Sequence, residues 1–531
     1  MKNAKVWVLG YCSLVAVVLA FIGAVAAKVD PFFHYHAPDM EHYFYTLDNE
    51  RSQNNGIVKH FEYDGIITGT SMIQNFKTSE AEARFGMSFI KVPYSGGSFK
   101  EINDNLKIAF ACHPNIKMVI RGLDLRKFCD HKDTMRGDLG RYPTYLYDDD
   151  VLNDVQYLLN RDVVFQRVLP MLRDKGKADY KGGITSFDEY SYWMERYSFG
   201  IHTLYPNGVT VQTPVECMDL TLAEREKVLA NVHANITDTA KEHPDVTFYY
   251  FMTPYSVQWW QSLVEKGKLK KQIQAEEILI QECLKCENIK LFSFNLRKDI
   301  TSDLNHYKDE SHYAAWINSL MLKYMQEGKY LLTKETYQPY LAEEFDTYAS
   351  FDYESINEQE DYENDYYAEA LMHEEISGVK PMHIDLQDEK CTILSSAEIT
   401  SNGYNGQCSV LCSGTLPRDL DLETPISSYL RDTGYIGFQY RVQDITPYQY
   451  LVFYGKSVDG DGKPIVFLYN AEGKIEVECT SLESQQDIKW HQYLVDISDQ
   501  SGECIMIFHG GGTNNTCDIA SQYLFSDVGL Y

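Results

Sequence analysis

The sequence predicts a three-layer α/β sandwich on a five-stranded, mostly parallel sheet, followed by a separate all-β sandwich. Three observations lead there. Between residues 61 and 335, short apolar runs of strand length alternate with amphipathic helical stretches. Beyond residue 382 the pattern switches to strand alternation broken by turn residues, with no long helical period. A chain of 531 residues, 44% hydrophobic and 13% aromatic, is also too long for one ordinary core.

The first element is apolar. Residues 6–27 form 22 positions without a charge, preceded by Lys2 and Lys5. That length spans a bilayer as a helix, with the lysines kept on the cytoplasmic side. Ala24-Val25-Ala26 also resembles a signal-peptide cleavage site, but the run is longer than a usual signal core. Residues 1–28 are therefore expected to be an uncleaved anchor, and 29–60 a juxtamembrane segment. Either reading exports the remainder.

Buried-type strands are expected at 65–68, 87–94, 116–123, 246–252 and 289–294. Helices are expected at 71–85, 99–112 and 257–286. Another opens at the capping-box pair Thr221 and Glu224 and runs to about residue 241. Trp316, Ile317, Leu320, Met321, Tyr324 and Met325 recur at helical spacing and close the domain. Residues 128–215 are irregular and rich in Tyr, Asp and Arg, and read as an insertion. From Glu335 to Gly378 there is no Lys or Arg, so 336–381 reads as an acidic, Tyr-rich linker. In the last part, 435–442, 450–454, 465–469, 474–479, 492–497 and 505–508 read as strands. Asp459-Gly460-Asp461-Gly462 separates two of them, as a hairpin turn or a calcium loop.

Composition excludes some functions. A formal charge of −29 argues against nucleic acid, whose phosphates need a basic surface, and against a broad electrostatic grip on anionic lipid. Twelve cysteines are spread along the chain, and Cys283-Leu284-Lys285-Cys286 lacks a second pair to complete a zinc site. No His/Asp cluster has metal-ligand spacing, so neither metal nor cofactor is expected.

Two signatures carry the chemistry. Gly69-Thr70-Ser71 directly follows the first strand, and Asp309-Glu310-Ser311-His312 directly precedes the closing helix. In a parallel sheet, ligands bind at the carboxyl ends of the strands, where both segments fall. A serine nucleophile needs a base within hydrogen-bond reach and a third group to orient that base. Ser71, His312 and Asp309 have those chemistries in that order. Taken singly, Ser71 is explained as a helix cap and His312 as a helix-start residue. The joint placement favours catalysis. Asp303-Leu304-Asn305-His306 repeats the DxxH spacing six residues earlier, and the later pair is preferred for its position before the closing helix.

On these motifs, residues 61 to about 330 resemble an SGNH/GDSL-type hydrolase domain, of flavodoxin-like three-layer type. The likeness is to membrane-anchored members that modify cell-envelope polysaccharides. It implies catalytic Ser71, Asp309 and His312, and an oxyanion hole from the Ser71 amide and Gly96 or Gly97 in Tyr94-Ser95-Gly96-Gly97. Thr70 replaces the family's Asp in the first block. Asp124, in Gly122-Leu123-Asp124, stands where the family has an oxyanion-binding Asn. An ionised carboxylate would repel an oxyanion, so Asp124 is protonated, turned away or otherwise engaged. Arg121 is a candidate for holding an anionic substrate group, and His306 for lining the pocket.

The implied activity is removal or transfer of an acyl group, acetyl above all, on an extracellular polysaccharide. A transferase would also need a membrane-bound partner to deliver the acyl donor. The rival reading is a decayed, non-catalytic surface protein. Its C-terminal sandwich, similar to a jelly-roll carbohydrate-binding module, would then bind glycans. Tyr450, Tyr454 and Trp490 are candidates for stacking on sugar rings, against the commoner fate of packing in a core.

Overall fold

The computed structural model describes residues 2–138, 142–177 and 180–359. In the C-terminal part it describes 375–388, 390–394, 397–401, 403–404, 408–414, 437–458, 462–470, 473–477, 490–512 and 521–531. The chain divides into two compact units, Met1–Gln359 and Glu360–Tyr531.

The first unit opens with helix α1 (Lys2–Val29), whose stretch Lys5–Val29 has a mean hydropathy of 2.5 and is long enough to cross a membrane. Strand β1 (Phe44–Tyr45) and helix α2 (Glu50–His60) lead into β2 (Gly65–Gly69), α3 (Thr78–Phe85), β3 (Phe89–Pro93), α4 (Phe99–Cys112) and β4 (Met118–Leu123). The insertion contributes α5 (Val155–Leu158), α6 (Leu169–Asp174), β5 (Gly183–Ile184) and α7 (Ile201–Leu204), with β5 pairing β1. Then come α8 (Leu222–Val232), α9 (Asp238–Glu242), β6 (Thr247–Met252), α10 (Val257–Glu265), α11 (Leu269–Cys283) and β7 (Ile289–Ser293). Helices α12 (Lys298–Thr301), α13 (Ala315–Glu327) and α14 (Tyr337–Ala349) end the unit.

Strands β2, β3, β4, β6 and β7 form one sheet in the order β3-β2-β4-β6-β7, with every pair parallel. This is the flavodoxin-like order, and β2, β3 and β4 are buried along their whole length. Helices cover both faces, which is why these strands read as apolar runs rather than alternating ones.

Two expected helices are broken. Over 71–85, a 3₁₀ turn (Ser71–Ile73) comes first, and α3 starts only at Thr78. Asp188 of the insertion explains the restart, because it accepts hydrogen bonds from Thr78 Oγ1 (3.0 Å) and Ser79 N (3.1 Å) and so caps α3. Residues 257–286 split into α10 and α11 around Gly267, whose φ of +63° ends the first helix. The capping box of Thr221 and Glu224 is present at the start of α8, which passes through a π-helical segment (His233–Thr237) into α9.

The segment expected to begin the acidic linker folds instead onto this unit. Helix α14 packs against α10 and α11, and Tyr348 stacks on Trp260 with ring centroids 4.0 Å apart. Its Glu344 is buried and accepts from Asn295 Nδ2 at 2.8 Å. Leu341, Glu344 and Tyr348, at helical spacing, are the face that an acidic composition concealed.

The second unit is an antiparallel sandwich. Its strands are β8 (Met382–Ile384), β9 (Cys391–Ile393), β10 (Ala397–Thr400), β11 (Ser409–Gly414), β12 (Gly437–Val442) and β13 (Tyr450–Ser457). They continue with β14 (Gly462–Asn470), β15 (Gly473–Val477), β16 (His491–Asp496), β17 (Cys504–Gly512) and β18 (Ser521–Leu530). One sheet runs β10-β11-β18-β13-β16 with β8 beside β18, and the other β15-β14-β17-β12-β9. Phe438, Phe453, Phe508 and Phe525 meet between them. Strands β8 to β10 are three or four residues long, too short to leave an alternation in the sequence. Asp459-Gly460-Asp461, the expected turn or calcium loop, lies outside the described residues.

Candidate functional site

Strand β2 ends at Gly69, with φ +155°. A Cβ there would stand 2.8 Å from Ile73 Cγ2 and 3.3 Å from the Gly122 backbone, so only glycine lets the turn close over β4. Thr70 caps the 3₁₀ turn and Ser71 opens it, at the carboxyl edge of the sheet. Lys91 braces the turn from below. Its Nζ donates to the carbonyls of Gln74 (2.6 Å) and Phe76 (2.8 Å), and burial brings its pKa down to about 7.

The second signature arrives from the loop between α12 and α13. Ser71 Oγ lies 2.8 Å from His312 Nε2. On the other side of the ring, Nδ1 is 2.8 Å from Asp309 Oδ2 and 2.9 Å from Oδ1. An imidazole that donates from Nδ1 to a carboxylate leaves Nε2 free to accept the serine proton. The Asp309 carboxylate also accepts from the backbone N–H groups of Ser311 (3.0 Å) and His312 (2.9 Å). Partial burial pushes its pKa up, but the hydrogen bonds from His312 and the backbone outweigh that and hold it well below the usual carboxylate range.

A cavity of about 560 Å³ opens onto Ser71 and His312 and is bordered by Gly96. The Gly97 N–H is taken by the Tyr94 carbonyl at 2.7 Å. Among the described residues, no hydrogen bond occupies the Gly96 or Ser71 N–H. Gly96 has φ +58°, and a Cβ on it would meet the Arg136 guanidinium at 2.2 Å.

The insertion forms much of the cavity wall, through Arg136, Glu189, Ser191, Tyr192, Trp193, Arg196 and Tyr197. Trp193 meets His312 edge to face. The Lys308 ammonium stands 3.8 Å from the Trp193 ring centroid and 3.5 Å from that of Tyr197. Burial lowers the Lys308 pKa. Asp48 borders this cavity and also a second one of about 330 Å³ lined by Phe44, Pro170 and Tyr180. None of the insertion's wall residues carries a recognisable motif in the sequence. The abundance of Tyr and Arg in the insertion was the only trace of them.

Asp124 is buried and turned away from the cavity. Thr70 Oγ1 (3.1 Å), the Arg126 N–H (3.1 Å) and the Tyr255 hydroxyl all donate to its carboxylate. It is an acceptor that ties the Ser71 turn to the end of β4 and to the loop before α10, not a donor toward an oxyanion. Arg121 and His306 are likewise not brought to the cavity. Arg121 is fully buried and donates to the carbonyls of Asn235 (2.7 Å) and Phe99 (3.2 Å), because its strand position points it into a helix-covered face. His306 is buried edge-on against Trp316 (4.8 Å), with Nδ1 3.2 Å from the Ile300 carbonyl. The DxxH pair brought to Ser71 is thus 309 and 312.

In the second unit, Tyr454 stacks face to face on Tyr404 with centroids 3.7 Å apart, so that face is taken. Tyr450 packs against Val452, Leu494 and Tyr531. Trp490, partly exposed, stands edge-on to Tyr404 at 6.1 Å. Among the described residues no group of three or more His, Cys, Asp or Glu is arranged to hold a metal ion.

Fold and side-chain geometry define a class: a parallel α/β domain with a serine–histidine–aspartate hydrogen-bonded chain at the carboxyl edge of its sheet. No family model matches the sequence, and no curated protein matches it significantly. Among solved structures, the chain is similar to a two-domain esterase active on acetylated mannans, crystallised with mannopentaose. The identity is 8%, the coverage 88% of this chain and 89% of that one, and the TM-score 0.21. It is also similar to a family 29 carbohydrate-binding module, at 12% identity over 29% of this chain and 92% of that one, TM-score 0.18. A third is a cleaved adhesin domain of Lys-gingipain from Porphyromonas gingivalis W83, at 11% identity over 29% and 98%, TM-score 0.17.

Proposed function

We propose that this chain is a membrane-anchored, extracytoplasmic SGNH-type serine esterase or O-acyltransferase acting on acyl groups, chiefly acetyl, of a cell-surface polysaccharide. The observation that carries the reading is the continuous hydrogen-bonded chain Ser71–His312–Asp309, with 2.8 Å at each link, opening onto a cavity.

Ser71 Oγ attacks the ester carbonyl while His312 Nε2 accepts its proton. Asp309, ionised, keeps the proton on Nδ1 and stabilises the imidazolium that forms. The developing oxyanion is received by the N–H groups of Ser71 and Gly96, with Gly97 excluded because its N–H is already used. Collapse of the tetrahedral intermediate expels the sugar oxygen, protonated by His312, and leaves an acyl-Ser71. Water then gives hydrolysis, and a second hydroxyl gives transfer. The intact Ser71–His312–Asp309 chain weighs against the reading of a decayed domain.

The anchor reading is supported by the junction after the apolar helix. Gly23 and Ala26 are buried, so cleavage after Ala26 would remove packed structure. The test is labelling of the full chain with a fluorophosphonate probe. Labelling that disappears in Ser71→Ala and in His312→Ala is expected. Folded wild-type protein that stays unlabelled, and cleaves no acetylated glycan, would overturn the proposal.

A further inference from the structure

The insertion does more than wall the cavity, and its outer surface is anomalous. Val151, Leu152 and Val155 are exposed around α5, with Leu152 at 83%. Phe165, Leu169 and Leu172, spaced i, i+4 and i+7, are exposed along the following helical segment, with Phe165 at 64%. A soluble surface rarely gathers six large apolar side chains on two adjoining elements.

Helix α1 packs on the same two elements. A Cβ on Gly23 would lie 3.7 Å from Leu158 Cβ and 4.0 Å from Leu159 Cδ2, ordinary packing distances. The junction is stiff. Asp30 accepts from the N–H groups of His34 (3.0 Å) and Tyr35 (2.7 Å) and from the Tyr157 hydroxyl (2.7 Å). Phe32 stacks on Tyr157, and His34 Nε2 lies 3.1 Å from Asp154 Oδ1.

The depth of that junction is what matters. From Val6 to Gly23, α1 rises about 26 Å at 1.5 Å per residue, against a hydrocarbon core of about 30 Å. The level of Gly23 therefore falls within the core's outer edge, and Leu158 is fixed to it. Residues 151–155 and 165–172, on the elements held there, lie at the boundary between headgroups and acyl chains.

We infer that the apolar face of residues 151–172 is a second membrane contact, which dips into the outer leaflet beside α1 and holds the catalytic unit in one orientation on the bilayer. The inference rests on the anchor reading above. A net charge of −29 gives no general attraction to anionic headgroups, so the contact is apolar and insensitive to salt.

The test uses the full chain in phosphatidylcholine vesicles, with an environment-sensitive fluorescent amino acid replacing Leu152, Phe165 or, as a control, exposed Leu222 on α8. Blue-shifted emission and at least about two-fold quenching by doxyl-labelled lipid are expected at 152 and 165, unchanged by salt, and neither at 222. If the chain floats with the vesicles but all three probes remain unquenched, the face meets water or awaits a protein partner, and the inference is overturned while the anchor stands. If the chain fails to float, the anchor reading falls and takes this one with it.

Discussion

The indole of Trp193 meets the imidazole of His312 edge to face, with ring centroids 5.7 Å apart, so the insertion touches the proposed base directly. The same indole carries the Lys308 ammonium on its face. Trp193→Phe keeps a ring but shrinks both contacts. The expected result is a loss of about ten-fold in the rate of fluorophosphonate labelling or ester cleavage, through misplacement of His312. The melting temperature should change little by comparison. A melting loss with no change in rate would make Trp193 a packing residue only.

Asp309→Asn keeps the shape of the site but removes the charge and presents an amide to Nδ1. Turnover should drop on the order of 10⁴-fold, because the wrong tautomer is favoured. Substrate binding, measured with a Ser71→Ala background, should be nearly unchanged. Since the Asp309 carboxyl is held well below its ordinary range, it stays ionised throughout neutral and mildly acidic pH. The stability it contributes is complete above the unfolded value and is lost only as pH falls below that toward the depressed folded value. Any loss of wild-type activity between pH 5 and 7 therefore comes from a group other than Asp309.

Asp124→Asn tests what that side chain does. Asparagine has one acceptor oxygen for a site where three donors converge, so a loss of about 1–3 kcal/mol in stability is expected with no gain in rate. A faster enzyme, measured as kcat on an acetylated substrate, would mean that position 124 does reach the oxyanion.

Glu276 on α11 and Glu344 on α14 are both fully buried, and burial together with the neighbouring Glu344 raises the Glu276 pKa well above its ordinary value. A raised folded pKa means that this contribution to stability is complete below the unfolded value of 4.5. It is lost as pH rises through the folded value. Glu276→Gln keeps a hydrogen-bond donor without a titration. Thermal melts should show a flatter dependence on pH above about 4.5 than wild type.

Much of the frame was legible in the sequence. The strands at 65–68, 116–123 and 289–294 stand out because a parallel sheet covered on both faces demands uninterrupted apolar runs. Ser71 and His312 stand out because strand order places both signatures at the carboxyl edge of that frame. Where local signals failed, a distant residue intervened. The helix expected from Ser71 restarts at Thr78 because Asp188 caps it from 110 residues away. The acidic stretch after 336 hid α14 because charge dominates its composition, while Leu341, Glu344 and Tyr348 form its buried face.

What the sequence by itself determined is the order of elements, the long apolar helix at the start, and the serine, histidine and aspartate that the fold brings together. Those depend on periodicity and on chemistry carried by single positions. Tertiary structure alone decided that Asp124 is an acceptor spent on Thr70, Tyr255 and Arg126, and that Arg121 is sealed inside. It also brought Trp193 and Lys308 to the site. Each of these depends on partners far along the chain, and only packing sets the distances between them.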